Sequence, residues 1–525
     1  MQRRTFVRGL GASIALGPGA LSGRARGSAA EGPHNPDLTR INPQFLVTAK
    51  DAHAWHVAKD SHGGPTFSGS PSWKKYLELC EQELRARGVV DIFGNPFIYD
   101  RWFTTEWPDD SNWSLHVGDV GGGEKIRVAS YGAYSGMTPE AGVTAPLVLF
   151  QPGISSDALR NKIVLVPPGP SLLPNGVQGG RAGGIIGDYE YLADSNTFPN
   201  PLAPLTVGGK ASSFGKVIVT PYVGPLKAGG AIGMLFGVDL SYDVLAGTYN
   251  FPVPVRYDIP TLFLDRDAAA KLTKRAQAGQ PATLRLIAQT ESAETYQLFG
   301  YLPGKNYGKP GDEQIMFITH TDGPSISQEN GALGILGMVH YFSKIPQADR
   351  PRTILIFLDN RHYMPGSERA FAAQDHAAKH RDFHKPVVAA MGIEHLGQME
   401  FVEEPGKPFH PDGLAELSTV WITKNQRLVD LAIKSVKDNG LRRVQVQCPG
   451  RKGLHGGEQG PWYGLGAIAR RLNIPGSATM GSMTAYWSTK ARLPTFDADH
   501  FVTQVATMSQ IAGELMIADM TQLTS

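Results

Sequence analysis

The sequence predicts an α/β protein: a mixed or parallel sheet covered by helices, with a separate β-rich unit ahead of it. Three observations predict it. From about residue 295 the pattern alternates strand, helix, strand, helix. From about 116 to 294 the texture differs, with short apolar strands set between Gly and Pro turns. And at 525 residues the chain is too long for one hydrophobic core, so two domains or more are expected.

The elements follow in chain order. "QRRTFVRGLGASIALGPGALSGRARGSAA" has paired Arg3 and Arg4, then Phe6, then a short, weakly apolar Gly/Ala run. Residues 1–30 resemble a twin-arginine export signal, with Arg24 and Arg26 beyond the apolar run and a small-residue cleavage site at Ser28 and Ala30. The expectation is a soluble protein exported to the periplasm or secreted. Residues 31–70 are polar, with Pro and Gly, and read as an extended lead-in to the N-terminal segment of the main domain, 31–115. "SWKKYLELCEQELRARG" (72–88) carries apolar residues at helical spacing and a Gly stop, which predicts a helix. The aromatics Trp102, Trp107 and Trp113 line either a groove or, more commonly, the packing between strands.

Within 116–294, "DALRNKIVLVPPG" is a buried strand after a turn, "LKAGGAIGMLFG" a helix end, Gly turn and strand, and "YDIPTLFLDRDAAAKLTKRAQAG" a strand feeding a helix. From 295 to 525, "TYQLFGYLPG", "EQIMFITHTDG", "PRTILIFLDN" and "PVVAAMGIEHLG" read as strands. "NGALGILGMVHYFSK", "NQRLVDLAIKSVKDNG" and "DADHFVTQVATMSQIAGELMIADM" read as helices.

Bulk numbers exclude some classes. Net charge is +2 and basic residues are scattered, which argues against a nucleic-acid partner. No segment reaches about 18 uninterrupted apolar residues, so no membrane span is expected. The two cysteines, Cys80 and Cys448, either pair or stay as buried thiols; neither has the spacing of a structural zinc site.

The polar residues collect at strand ends, where such sheets carry their sites. "ITHTDG" places His320 and Asp322 two apart on one face of a strand tip, and Glu329 follows at the mouth of a helix. "IFLDNRHYMPGS" supplies Asp359, Arg361 and His362, and "MGIEHLG" supplies Glu394 and His395. "GLHGGEQGPW" adds His455 and Glu458 on a Gly-rich loop. Convergent His and carboxylate side chains suit zinc or another divalent cation. Trp462, Tyr463, Tyr486 and Trp487 would make an aromatic wall, with Asp322, for the substrate.

The order "AETYQLFGYLPG…DEQIMFITHTDG…ENGALGILGMVHYF…RTILIFLDN…PGSERAF" resembles the zinc aminopeptidase family that carries a protease-associated insert, to which glutamate carboxypeptidase II and transferrin receptor belong. The resemblance implies a zinc-exopeptidase-like mixed sheet with helices on both faces. It implies that 116–294 is the protease-associated insert, and that the chemistry is hydrolysis of peptide or acyl-amide bonds by two bridged metals. On this resemblance His320 is the first ligand, with Asp322 as companion; Glu329 falls at the bridging carboxylate and Glu394 at a later ligand. The family's adjacent Glu-Glu pair falls near Asn360 to His362, where no carboxylate stands, and Trp487 stands about where the last ligand His is expected. The implied site is therefore rearranged.

Three functions stay open. The first is an exported metal-dependent hydrolase whose metal is held by His320, Glu329, Glu394 and His362 or His455. Its acid/base is Glu458 or His395, and Arg361 serves an oxyanion or a substrate carboxylate. The second is a non-catalytic binding protein on the same fold. The third is a metal-free His/carboxylate acid–base enzyme acting on a small molecule. A small-molecule or peptide partner is expected, with homodimerisation left open.

Overall fold

The computed structural model describes residues 37–523 except 119–122, 170–218, 250–255, 366–372, 403–406, 417, 450–461, 463 and 482–487. The export-like segment 1–30 lies outside the described residues.

The main sheet has eight strands: β1 (Val90–Phe103), β2 (Gln289–Leu302), β3 (Gln314–His320), β4 (Thr353–Asp359), β5 (Val387–Ile393), β6 (Ser418–Ile422), β7 (Val444–Gln447) and β8 (Gly476–Gly481). Their spatial order is β1-β2-β4-β3-β5-β8-β6-β7. The centre, β4-β3-β5-β8, is parallel; β1 and β2 run antiparallel at one edge, and β6 runs antiparallel to β8. The sheet is mixed, as expected from the sequence. The central strands read as continuous apolar runs because both faces are covered. Alternate side chains part to two cores: Ile315 and Phe317 of β3 pack under helices, while Met316 and Ile318 join the opposite cluster.

The helices on the first face are α1 (Ala49–Asp60), α2 (Pro71–Ala86), α3 (Gly331–Ser343), α4 (Gln426–Asp438) and α5 (Ala498–Ile517). Helix α3 is buried all round, wedged between β3, β5, α2 and α5. The long strands β1 and β2 pair from Val90–Tyr301 to Phe103–Gln289, and the chain between them builds a second eight-stranded sheet within Trp113–Leu286. Its strands Val143–Leu149, Ile163–Val166, Gly233–Gly237 and Thr261–Leu264 run parallel, and its helix Arg266–Gln277 is capped by Asp265.

Two sequence expectations are corrected. Residues 31–70 are not all extended: α1 starts after Thr48, whose hydroxyl accepts the Asp51 N–H at 3.1 Å. Its buried face is Ala52, Trp55, His56 and Lys59, a helical stripe half made of polar residues, so no apolar period marks it. Strands β6, β7 and β8 complete the sheet in a stretch where the sequence marks only one helix. β8, "GSATMG", consists mostly of small residues rather than β-branched ones, because Ala469 and the Ala390 carbonyl press on Gly476. Both cysteines are buried free thiols; burial pushes the Cys80 thiol up to about 12, which leaves it unreactive. No described helix is long and apolar enough to cross a membrane.

Candidate metal centre

The parallel strands β3 and β5 end side by side, and their tips carry the site. His320 is the last residue of β3; Glu394 and His395 follow β5 directly. Neighbours along a strand normally point to opposite faces. Here His395 takes φ +56°, a left-handed turn unusual for a non-glycine residue, and both side chains reach the same space. One donor atom from each of His320, Glu394 and His395 lies within 4.8 Å of the others, and all three residues are buried.

The donors are oriented by their neighbours. His320 Nδ1 lies 2.9 Å from the Asp322 carbonyl oxygen. A carbonyl only accepts, so Nδ1 carries the proton and Nε2 presents its lone pair. Nε2 is 3.6 Å from Glu394 Oε2. Glu394 Oε1 accepts the Leu465 N–H at 2.6 Å. Its Oε2 is buried without a hydrogen bond among the described residues, a cost that a bound cation would remove. Gly464, at φ +75°, permits this approach: a Cβ there would stand 2.4 Å from Glu394 Oε1. Burial pushes the Glu394 carboxyl up to about 7 and holds the His395 imidazole well below its ordinary value. The Gln328 side-chain amide meets His395 Nε2 at 3.3 Å.

The other expected site residues are placed as follows. The Asp322 carboxylate does not orient His320; it accepts the N–H groups of His362 at 3.1 Å and Tyr363 at 2.7 Å, and so clamps the turn after β4 beside the site. Burial pushes its pKa up to about 7. That clamp stacks His362 on His320, with ring centroids 4.1 Å apart. Glu329 stands apart from the three donors: its Oε1 accepts from Lys59 Nζ at 2.6 Å and Thr66 Oγ1 at 2.8 Å, all buried. The Lys59 ammonium also donates to the Ser325 carbonyl at 2.9 Å. Arg361 is 1% exposed, its guanidinium 4.4 Å from the Phe97 ring centroid. Trp462 is buried beside Gly466. His455, Glu458, Tyr463, Tyr486 and Trp487 lie outside the described residues. The sequence reading missed Lys59, Gln328 and Gly464; no local period marks any of them, since the α1 stripe that holds Lys59 is half polar.

No protein-family profile matches the sequence, and no curated protein is similar to it. Solved structures are similar. An aminopeptidase from Aneurinibacillus sp. strain AM-1 aligns with a TM-score of 0.54 at 14% identity, covering 92% of this chain and 96% of its own. BSAP, a zinc aminopeptidase from Bacillus subtilis, aligns with 0.57 at 13% identity, covering 91% and 98%. The chain shares the fold of these aminopeptidases. A peptidase M28 precursor from Shewanella amazonensis SB2B aligns equally well, 0.57 at 14% identity over 91% and 96%. The likeness spans nearly the whole of each chain.

Proposed function

We propose that this protein is a metal-dependent peptide hydrolase working with one divalent cation, zinc or a close analogue, held by His320, Glu394 and His395. The observation that carries the reading is the convergence of these three buried donors at the tips of β3 and β5, in a fold shared with zinc aminopeptidases. A cation bound there would polarise a carbonyl and acidify a water. The chain's own residues supply the rest. The Asp322 carbonyl fixes the His320 tautomer, and the Leu465 amide holds Glu394 in place. His395 is a ligand rather than the acid/base. His362, half-buried against His320, is the group placed to carry protons between the site and solvent.

A single ion is favoured over the bridged pair that the sequence resemblance implies. A second ion would need Glu329, and Lys59 already neutralises that carboxylate at 2.6 Å. Arg361, almost wholly enclosed, braces the turn after β4 instead of gripping substrate. The export-like N-terminus supports a periplasmic or secreted location, and the second sheet between β1 and β2 supports a protease-associated insert.

Elemental mass spectrometry of the exported protein tests this. We expect about one transition-metal equivalent in the wild type, lost in His320→Ala, with release of amino acids from short peptides lost in parallel. Protein without metal that still turns over a small molecule would favour the metal-free acid–base reading instead.

A further inference from the structure

A cavity of about 220 Å³ lies beside the end of β1, against the second sheet. Its wall is aromatic. Trp102, Tyr131, Tyr134 and Tyr249 line it, all largely buried. Trp102 lies 5.7 Å from Tyr131 and 6.1 Å from Tyr134, ring centroid to centroid, at interplanar angles of 44° and 37°, so the rings splay instead of stacking. Tyr134 is held at φ +57°, a left-handed conformation that costs a non-glycine residue about 1 kcal/mol or more and sets its ring in this wall.

Glu106 is the one carboxylate among the described residues lining this space. Its Oε1 accepts the Tyr131 hydroxyl at 2.7 Å, and no lysine or arginine among the described residues forms an ion pair with it. Arg101 also lines the cavity: its Nη1 is 2.5 Å from Glu291 and its guanidinium lies 4.3 Å over Phe103, while its charge also acts on Glu106 and partly offsets the burial that pushes that carboxyl up to about 7. The cavity thus joins a buried carboxyl, with no ion pair among the described residues, to several π faces. Each attracts a cation, and a neutral apolar ligand would leave the carboxylate unserved. Tyr134 already holds the Arg256 guanidinium 4.9 Å from its ring centroid, so these rings do accept cations. Size is adequate: a cavity of about 150 Å³ holds benzene.

We propose that this cavity binds an alkylammonium group, with Glu106 supplying the counter-charge and Trp102, Tyr131, Tyr134 and Tyr249 the π faces. The group belongs either to a free amine or to a lysine side chain of a peptide. Tyr249 packs on Tyr363 at 5.6 Å, and Tyr363 follows His362, so the cavity abuts the wall of the metal centre without sharing its ligands. The proposal stands whether or not the protein proves to be a peptidase.

Calorimetric titration of the full chain with n-butylammonium tests it, with n-butanol as the neutral isostere. We expect n-butylammonium to bind wild type and His320→Ala alike. Binding should be at least about tenfold weaker in Glu106→Gln, and n-butanol at least about tenfold weaker than the amine, the scale of a desolvated cation–π and carboxylate contact. No binding at millimolar amine, equal binding to Glu106→Gln, or equal binding of n-butanol would overturn it. If Glu106→Gln does not fold, the amine-against-alcohol comparison on wild type decides alone. Titration with Nα-acetyl-lysinamide separates the two sources; binding assigns the group to a peptide lysine, and its absence beside butylammonium binding assigns it to a free amine.

Discussion

His395 shows how much a single backbone angle decides. In an ordinary strand continuation Glu394 and His395 would face opposite sides of the sheet; φ +56° turns both into the same pocket. Lys59 and Glu329 decide the charge beside it. Removing one partner of a buried ion pair leaves the other uncompensated, so Lys59→Met should cost about 3–5 kcal/mol by denaturant midpoint. Lys59→Met combined with Glu329→Met should cost clearly less, because no charge is then stranded. Glu394 makes a pH prediction for the metal-free protein. Its folded pKa of about 7 lies above its unfolded value, so the folded state binds the proton more tightly. That contribution is complete below about pH 4.5 and is lost as pH rises to about 7. The stability difference between wild type and Glu394→Gln should therefore fall by roughly 3 kcal/mol across that window, read by chemical denaturation in chelator. A flat difference would mean that the carboxyl is solvated.

At the scale of elements, helix α3 fixes the spacing of the site. Its first residue, Gly331, fits because a Cβ there would stand 1.9 Å from the Ile393 carbonyl oxygen and 2.0 Å from Thr319 Oγ1. The helix start is jammed between the ends of β3 and β5, the two strands that carry the donors. Gly331→Ala should force them apart, lowering the melting temperature and metal content together; loss of one without the other would separate fold from site. Helix α1 anchors Lys59 and rests on its Thr48 cap, so Thr48→Ala should cost about 1 kcal/mol. These elements differ in how visible they are in sequence. Strands β3 to β5 and helices α2, α3, α4 and α5 announce themselves through apolar runs or helical periods. Helix α1 does not, because His56 and Lys59 occupy its inner face to bond Asn330 and Glu329. Strand β8 does not, because most of its residues, packed between β5 and β6, are small rather than β-branched.

For the whole molecule, the paired strands β1 and β2 tie the second sheet to the first, and one apolar cluster runs through both, from Trp113 and Leu147 to Met316 and Phe357. The two sheets should therefore unfold together. A cation bound across β3 and β5 binds the native state alone, so at about a hundredfold excess over its Kd it adds about 2.7 kcal/mol. Chelation should lower the melting temperature by a few degrees in wild type and leave His320→Ala unmoved. An equal shift in both would place the stabilising metal elsewhere.

The sequence by itself determined the layered α/β architecture, the β-rich segment set ahead of its second half, and the strand tips where His320, Asp322, Glu394 and His395 stand. Those features are written in local periodicity and in runs between turns, which short-range sterics and burial enforce. Only the tertiary structure decided which carboxylates belong to the metal centre. Glu329 and Glu394 look alike in sequence; one meets an ammonium from a helix some 270 residues away, and the other meets two histidines. Charge pairing in a buried space depends on what arrives from distant chain, and no local pattern records it.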